Sequence, residues 1–344
     1  ILLILATISI QSLTNTGIFA KAKEARDKTQ NATENQAKTL NEYEDELNKY
    51  VSGTTQTQKL ADKVKVGDYV SYTPDTLNDE ALATLKANLN TYSGNSNSTV
   101  NPAIKRDDLK WRVLDVQNGQ VRLISEVPTE SKIELKGYNG YNNAVKLIDD
   151  ACSTLYTNSK LASKVQNLKI EDITKYMTTQ PTEDTTPYSP STKYYPEILL
   201  KEKEQTVNGT EGTELGLSEQ TKFINQTTKS QVNSWILRKT YWFHSMNNTD
   251  SFKDTKYYEL FIKNNENNNY PTYWMSSRCV IASSSGANFD VHYVNSGDVN
   301  AYRLYNSYDD ENSGGYAFRP VITLNSNVQV TSGNGTAEQA YVIK

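Results

Sequence analysis

The sequence predicts an α+β protein in which a long N-terminal α-helix precedes a β-rich globular head built on an antiparallel sheet. The first fifty residues contain no proline and are rich in strong helix formers. Asn118-Gly119 separates two β-rich runs and predicts a hairpin, because both central positions of a type I′ turn need a positive φ. Much of the last hundred residues alternates apolar and polar side chains, as half-buried strands do.

The predicted N-terminal helix has an apolar beginning and a charged remainder. Ile1–Leu13 contains no charged residue, whereas residues 16–50 are rich in charges and amides, with one apolar stripe that includes Leu40 and Leu47. The apolar run is shorter than the roughly 20 residues that span a bilayer. Two alternatives stay open from these residues alone: a cleaved signal peptide, and a plain membrane anchor followed by a spacer helix.

A polar linker and a globular head are predicted after this helix. Residues 51–62 are rich in Ser, Thr and Gln, which is typical of a domain boundary, and the head is assigned to residues 63–344. Within the head, residues 111–127 predict the hairpin and residues 143–156 an amphipathic helix. Strands are expected at 273–280, 288–294, 299–305 and 318–324.

Composition narrows the classes of function. The net charge is −4 with both signs interspersed, so the chain lacks the basic patch that nucleic-acid binding requires. Two cysteines and two histidines are too few for a disulfide scaffold or a histidine-based metal site. No nucleophile elbow, phosphate loop or metal-binding motif is present. We therefore expect no catalytic residues, no cofactor and no enzymatic activity.

The beginning of the chain resembles type IV pilins and pseudopilins, as found in Gram-positive bacteria. The resemblance rests on Ile1–Ile10 (ILLILATISI), Gly17-Ile18 and Ala20–Ala25 (AKAKEA). In that family the apolar half-helix lies in the membrane before assembly and in the filament core afterwards. The resemblance implies a homo-oligomeric helical filament whose core contains Ile1, Leu2, Leu3, Ile4, Leu5, Ile8, Ile10 and Leu13.

The second half of the chain resembles C-type-lectin-like domains of the sulfatase-modifying-factor type. The resemblance rests on Tyr273–Arg278 (YWMSSR) and Phe318–Val321 (FRPV) and covers residues 111–324. It implies a lectin-like head that binds glycans or proteins. The enzymes of that family use paired cysteines near the C-terminus, and here only Cys279 lies in that region. Catalysis by this route is therefore not expected.

Three sets of residues are candidates for sites. Cys152 and Cys279 are candidates for a structural disulfide in an exported protein, and two separate buried thiols are the alternative. Asp309, Asp310 and Glu311 form an acidic turn that is a weak candidate for Ca²⁺, the alternative being a solvated loop. A ligand face, or else an ordinary polar sheet face, is predicted from Asn288, Asp290, His292, Asn300, Tyr302, Tyr305 and Tyr308.

The sequence thus predicts a structural subunit of an extracellular, type IV pilus-like filament. Its helix would pack in the filament core, after a membrane-inserted stage, and its head would be displayed on the cell surface for adhesion. A membrane-anchored surface adhesin that never polymerises is the alternative. An extracellular enzyme of the modifying-factor type is a third and weaker hypothesis.

Overall fold

The structure is a computed structural model, and it describes most of the chain from residue 58 onward. The described residues are 58–178, 251–263, 272–283, 286–295, 298–306 and 310–344, together with two short strands, Thr206–Val207 and Thr210–Glu211. The chain divides into two compact units, residues 1–57 and residues 58–344. The fold described below is that of the second unit.

Eight strands form the larger sheet, in the spatial order β1-β14-β15-β2-β3-β4-β13-β6. All neighbours are antiparallel except β15 and β2, which are parallel. The strands are β1 (Gln58–Lys59), β2 (Tyr69–Ser71), β3 (Trp111–Gln117), β4 (Gln120–Ser125), β6 (Ala162–Asn167), β13 (Pro320–Leu324), β14 (Gln329–Ser332) and β15 (Tyr341–Ile343). The last strand of this unit, β15, therefore lies between β14 and β2, and the first strand, β1, pairs with β14 at the edge of the sheet.

Five strands form the second sheet, in the order β11-β10-β9-β12-β5, with β12 and β9 parallel. They are β5 (Lys132–Lys136), β9 (Tyr273–Ser283), β10 (Gly286–Asn295), β11 (Asp298–Asn306) and β12 (Ser313–Ala317). The short strands at 206–211, β7 and β8, pair only with each other.

Four α-helices complete the described residues: α1 (Asp79–Tyr92), α2 (Gly137–Tyr156), α3 (Ile170–Thr174) and α4 (Thr255–Phe261). The side chain of Asn78 caps α1 by accepting a hydrogen bond from the Ala81 N–H at 2.9 Å. At the C-terminus of α2, the Tyr72 hydroxyl donates a hydrogen bond to the carbonyl of Tyr156 at 2.8 Å. This bond satisfies one of the carbonyls that a helix C-terminus leaves without an internal partner.

The predicted α+β class is wrong. The described residues are mostly β, with two mixed sheets in place of one antiparallel sheet, and their helices are few and short. No long N-terminal helix is seen among them, and residues 1–50, on which it was predicted, lie outside them. Strands from both ends of residues 58–344 join one eight-stranded sheet, and the C-type-lectin-like character of residues 111–324 stays a prediction.

Two hydrophobic cores explain why the sequences of several strands are continuous apolar runs. The first core packs α1 and α2 against the sheets, and Val113 of β3 and Trp274 of β9 belong to it. The second core packs α3 and α4 against the opposite faces, and it takes the next residue of each strand, Leu114 and Met275. Since successive side chains of a strand point to opposite faces, both faces of these strands must be apolar.

Asn167, at the end of β6, connects these layers through its amide. Its side-chain oxygen accepts from the Arg319 N–H at 2.6 Å, and its amide nitrogen donates to the Trp274 carbonyl at 2.9 Å. Its backbone N–H donates to Asp149 of α2 at 2.9 Å. Asn167 is fully buried, so one residue links the larger sheet, the five-stranded sheet and α2 without any contact with water.

A buried ion network holds α3 and its neighbouring turn against the larger sheet. The Arg122 guanidinium donates to both oxygens of Asp115, at 2.7 and 2.6 Å, and to Asp172 of α3 at 2.5 Å. The Tyr176 hydroxyl and the Gln117 amide also donate to Asp115. Burial alone would raise the pKa of Asp115, but these partners together hold that pKa below its ordinary value.

The hairpin and several other local predictions are confirmed. Asn118 and Gly119 connect β3 and β4 with φ of 51° and 75°, as a type I′ turn requires. Strands β9, β10 and β11 lie where the last hundred residues predicted them. Helix α2 begins at Gly137, six positions before the predicted start at residue 143. Residues 58–62 of the predicted linker contain β1 and a short 3₁₀-helix.

Two glycines with the same backbone strain provide a test of the packing around α2. Gly94 and Gly119 have φ of 83° and 75°. A Cβ added at Gly94 would lie 1.9 Å from the Lys136 carbonyl oxygen, whereas a Cβ added at Gly119 would have no atom within 4 Å. We expect Gly119→Ala to cost about 1 kcal/mol, from the positive φ alone. Gly94→Ala should cost at least about 3 kcal/mol, because a backbone peptide must also move.

Urea unfolding of the two variants, followed by tryptophan fluorescence, measures this difference. Equal losses of unfolding free energy for Gly94→Ala and Gly119→Ala would contradict the close approach of the loop after α1 to the start of α2.

Candidate functional site

The predicted ligand face is divided between the two sides of the five-stranded sheet. Tyr302 contacts the rings of Trp274 and Tyr293, which belong to the first core. Asp290 and His292 alternate with Tyr293 along β10 and therefore lie on the opposite side. Both are buried, at 3% and 1% exposure. The predicted set thus does not form a single accessible surface.

The remaining members of the predicted set are placed as follows. Asn288, Asn300 and Tyr305 are half-buried on β10 and β11, and Tyr308 lies outside the described residues. Tyr305 contacts the ring of Phe289 at 6.2 Å, on the side of the first core. The side chain of Asn300 accepts a hydrogen bond from the N–H of Ala301 at 2.7 Å, so this oxygen is used locally.

A cluster of four aromatic rings occupies the first-core side of the sheet. Trp274 is fully buried, and its indole N–H donates to the Ile133 carbonyl at 2.8 Å. Tyr293 and Tyr316 stack at 5.2 Å, and Tyr302 packs edge-on against both, at 5.8 and 5.5 Å. Burial and the two neighbouring tyrosines raise the pKa of Tyr316 to about 12. The half-buried Tyr302 and Tyr316 present neutral, amphipathic rings at the surface.

Asp290 and His292 carry shifted pKa values on the other side of the sheet. Burial raises the pKa of Asp290 to about 7, although the positive charge of Arg303 opposes the shift. One Asp290 carboxylate oxygen, Oδ1, has no hydrogen-bond partner. Burial lowers the pKa of His292 to about 4, opposed by a hydrogen bond with the backbone of Asn300. Both side chains are therefore held in their neutral forms near pH 6.

Asp310, one of the three calcium candidates, forms hydrogen bonds within its own turn. Asp310 Oδ2 accepts from the Asn306 amide at 2.9 Å, and the Asp310 N–H donates to Asn306 Oδ1 at 3.0 Å. Glu311 lies beside Gly137, at the start of α2, and Asp309 lies outside the described residues. Within the part of the chain that the structure describes, no group of three or more His, Cys, Asp or Glu side chains is arranged to hold a metal ion.

Cys152 is a free, fully buried thiol on α2, 3.9 Å from the side-chain oxygen of Asn167. Burial raises its pKa well above the ordinary value, so the thiol stays protonated and unreactive. The side chain of Cys279, its candidate disulfide partner, lies outside the described residues, and so do the predicted filament-core residues 1–13.

The two arginines of the lectin-like motifs have structural surroundings. Arg319 is 2% exposed, and its guanidinium donates to the carbonyls of Ser125 and Glu126, the shorter bonds being 3.0 and 2.8 Å. Its charge lies over the ring of Tyr273, 5.4 Å from the centroid. Arg278 lies over the ring of Tyr141 at 5.1 Å. Backbone carbonyls and aromatic rings thus stabilise these cations.

Two cavities open on the described surface. The larger, of about 530 Å³, runs between α1 and α2 and includes the Lys146–Asp150 ion pair. The smaller, of about 300 Å³, is lined by Tyr72, Arg106, Asp107, Asp108, Trp111 and Tyr156. Sequence analysis singled out none of these residues as a site. The charged run Arg106–Asp108 beside an aromatic residue was the available signal.

None of the helices among the described residues is long and apolar enough to cross a membrane. Comparison of the chain with protein-family models, with curated proteins and with solved structures found no match.

The raised pKa of Asp290 predicts a pH-dependent loss of stability. A carboxyl whose pKa is higher in the folded state stabilises fully below its ordinary value near 4 and loses that contribution as the pH rises through about 7. Asn cannot ionise, so Asp290→Asn should unfold with a free energy a few kcal/mol larger than the parent chain at pH 8. Near pH 4 the difference should be small.

Urea unfolding at several pH values between 4 and 8 tests this prediction. The matched control is Asp62→Asn, at an exposed carboxylate, which should follow the parent chain throughout. If Asp290→Asn and the parent chain keep a constant difference across this range, the carboxyl of Asp290 does not titrate as described.

Proposed function

We propose that this chain is a structural subunit of an extracellular, type IV pilus-like filament. The apolar segment Ile1–Leu13 packs against copies of itself inside the filament, and residues 58–344 are displayed on the outside. One observation carries the proposal: the chain divides at Thr57 into two compact units, and the uncharged apolar run is confined to the first.

The hydrophobic effect explains why an apolar first segment would drive assembly. Thirteen uncharged and mostly apolar residues are costly to expose to water, so the segment needs an apolar environment. A membrane supplies one before assembly, and like segments supply one in a filament. Since lipid tails and neighbouring side chains are similarly apolar, the exchange between the two costs little. The composition of this segment therefore supports self-association in a filament.

The second unit supports display. It has two hydrophobic cores of its own, and its surface presents half-buried tyrosines such as Tyr302 and Tyr316. Tyrosine supplies a rigid, amphipathic contact area to a glycan or protein ligand at a low cost in conformational entropy. In this proposal the protein works by assembly and display on the cell surface, without turnover, cofactor or nucleic-acid partner.

Deletion and point substitution in the first unit test the proposal. The full chain should form filaments visible by electron microscopy of sheared cell-surface material. Leu5→Asp places a charge in the apolar segment and should abolish them, whereas Asn31→Asp, in the charged stretch, should leave them intact. Residues 58–344 alone should sediment as a soluble monomer.

Two outcomes would contradict the proposal. Polymerisation of residues 58–344 alone would place the assembly contacts in the second unit. Absence of filaments from the full chain, with the protein held singly at the cell surface, would favour the alternative of a non-polymerising membrane-anchored adhesin.

A further inference from the structure

The smaller cavity lies where three separate segments meet. Tyr72 follows β2, the run Arg106–Asp108 precedes β3, and Tyr156 is the last residue of α2. With a volume of about 300 Å³, the cavity is at the lower end of the range for small-molecule sites. It is too small for a long peptide and suits one compact ligand unit.

Three aromatic side chains form the floor of this cavity. The rings of Tyr72 and Trp111 meet edge to face at 5.3 Å, and those of Trp111 and Tyr156 meet in the same way at 5.7 Å. All three residues are at most 4% exposed, so the rings are fixed by packing and only a small part of their area borders the cavity. The floor is therefore preformed, and a ligand would not have to order it.

Charged groups of both signs line the cavity above this floor. The Arg106 guanidinium is fixed by donating to the carbonyls of Leu155 and, at 2.7 Å, of Asp75. These bonds use Nε and Nη1 of the guanidinium and leave the two N–H donors of Nη2 for a ligand. Oδ2 of Asp107 accepts from the Ser131 N–H at 3.0 Å, which leaves Oδ1 as an acceptor for a ligand. The neighbouring Asp108 is exposed.

Further hydrogen-bonding groups come from the aromatic residues themselves. The Tyr156 hydroxyl accepts from the Asp107 N–H at 3.2 Å and, because Tyr156 is fully buried, it holds the Asp107 backbone in place. Among the hydrogen bonds of the described residues, none involves the indole N–H of Trp111. The lining of the cavity therefore contains both hydrogen-bond donors and acceptors.

This arrangement selects a class of ligand. An anion in the cavity would meet the carboxylates of Asp107 and Asp108, and a cation would meet the guanidinium of Arg106. A neutral hydroxyl both donates and accepts, so neighbouring hydroxyls satisfy both kinds of group. We propose that this cavity binds a neutral saccharide unit of monosaccharide size, with its hydroxyls on the charged and polar groups of the lining.

The saccharide site goes beyond the proposed function and does not depend on filament formation. A monosaccharide has few non-hydrogen atoms, so its affinity should be weak, with a Kd on the order of 1 mM. Repetition of the site along a filament would strengthen binding to a polysaccharide through multivalency. The single site is nevertheless measurable on an unassembled chain.

Saturation-transfer NMR on the full chain, kept unassembled in a sugar-free detergent, tests the proposal. The probes are glucose, galactose, mannose and N-acetylglucosamine, each titrated separately. At least one should show saturable transfer. Asp108→Ala removes an exposed acceptor and should weaken that binding about tenfold. Trp111→Phe removes the indole donor and part of the floor and should weaken it further.

Glu130→Ala is the matched control, because Glu130 is an exposed acid outside the cavity, and binding should be unchanged. Circular dichroism checks the fold of each variant; if Trp111→Phe does not fold, Asp108→Ala decides. The proposal is overturned if no neutral sugar shows saturable transfer, if Asp108→Ala binds like the parent chain, or if methylammonium or phosphate binds there and the sugars do not.

Discussion

The second unit depends on the buried amide of Asn167. Its hydrogen bonds reach Arg319 beside β13 and Trp274 of the five-stranded sheet, while the backbone N–H of the same residue donates to Asp149 of α2. The Cys152 thiol lies against the same amide oxygen. A buried amide that loses its partners costs more than the hydrogen bonds gain, so these elements are held in one relative position. Apolar packing alone would tolerate small shifts between the two sheets.

The two cores and the polar links between them have complementary roles. The cores bury both faces of the central strands and supply most of the favourable free energy. Polar groups then fix the register of the layers: Asn167 at the centre, the Arg122–Asp115–Asp172 network beside α3, and Arg319 over Tyr273. Except for the Arg122–Asp115 pair, which is seven residues apart, these links join residues that are far apart in the sequence.

Local features could be predicted from the sequence because their causes are local. The turn at Asn118-Gly119 needs only two residues that tolerate a positive φ, and the alternation along β10 is visible in the chain itself. The start of α2 was missed because Gly137 and Gly140 disfavour a helix, and packing of Tyr141 against Phe289 outweighs that propensity.

Features that depend on distant pairing could not be predicted. No local signal indicates that β15 lies parallel to β2, and the two-sheet architecture follows from such pairs. The predicted ligand-face residues are divided between the two sides of the sheet for a related reason: period-two alternation separates side chains, but it does not indicate that both sides of the sheet are covered by other elements. The small cavity combines residues near positions 72, 107 and 156, which only the fold brings together.

Amide hydrogen exchange of the Asn167→Ala variant of the full chain tests the central role of this amide most directly. The account predicts that amides of both sheets exchange about a hundredfold faster than in the parent chain, and together. Asn334→Ala, at an exposed turn, should change neither sheet. Faster exchange confined to β6, with the five-stranded sheet unaffected, would contradict the claim that Asn167 holds the two sheets as one body.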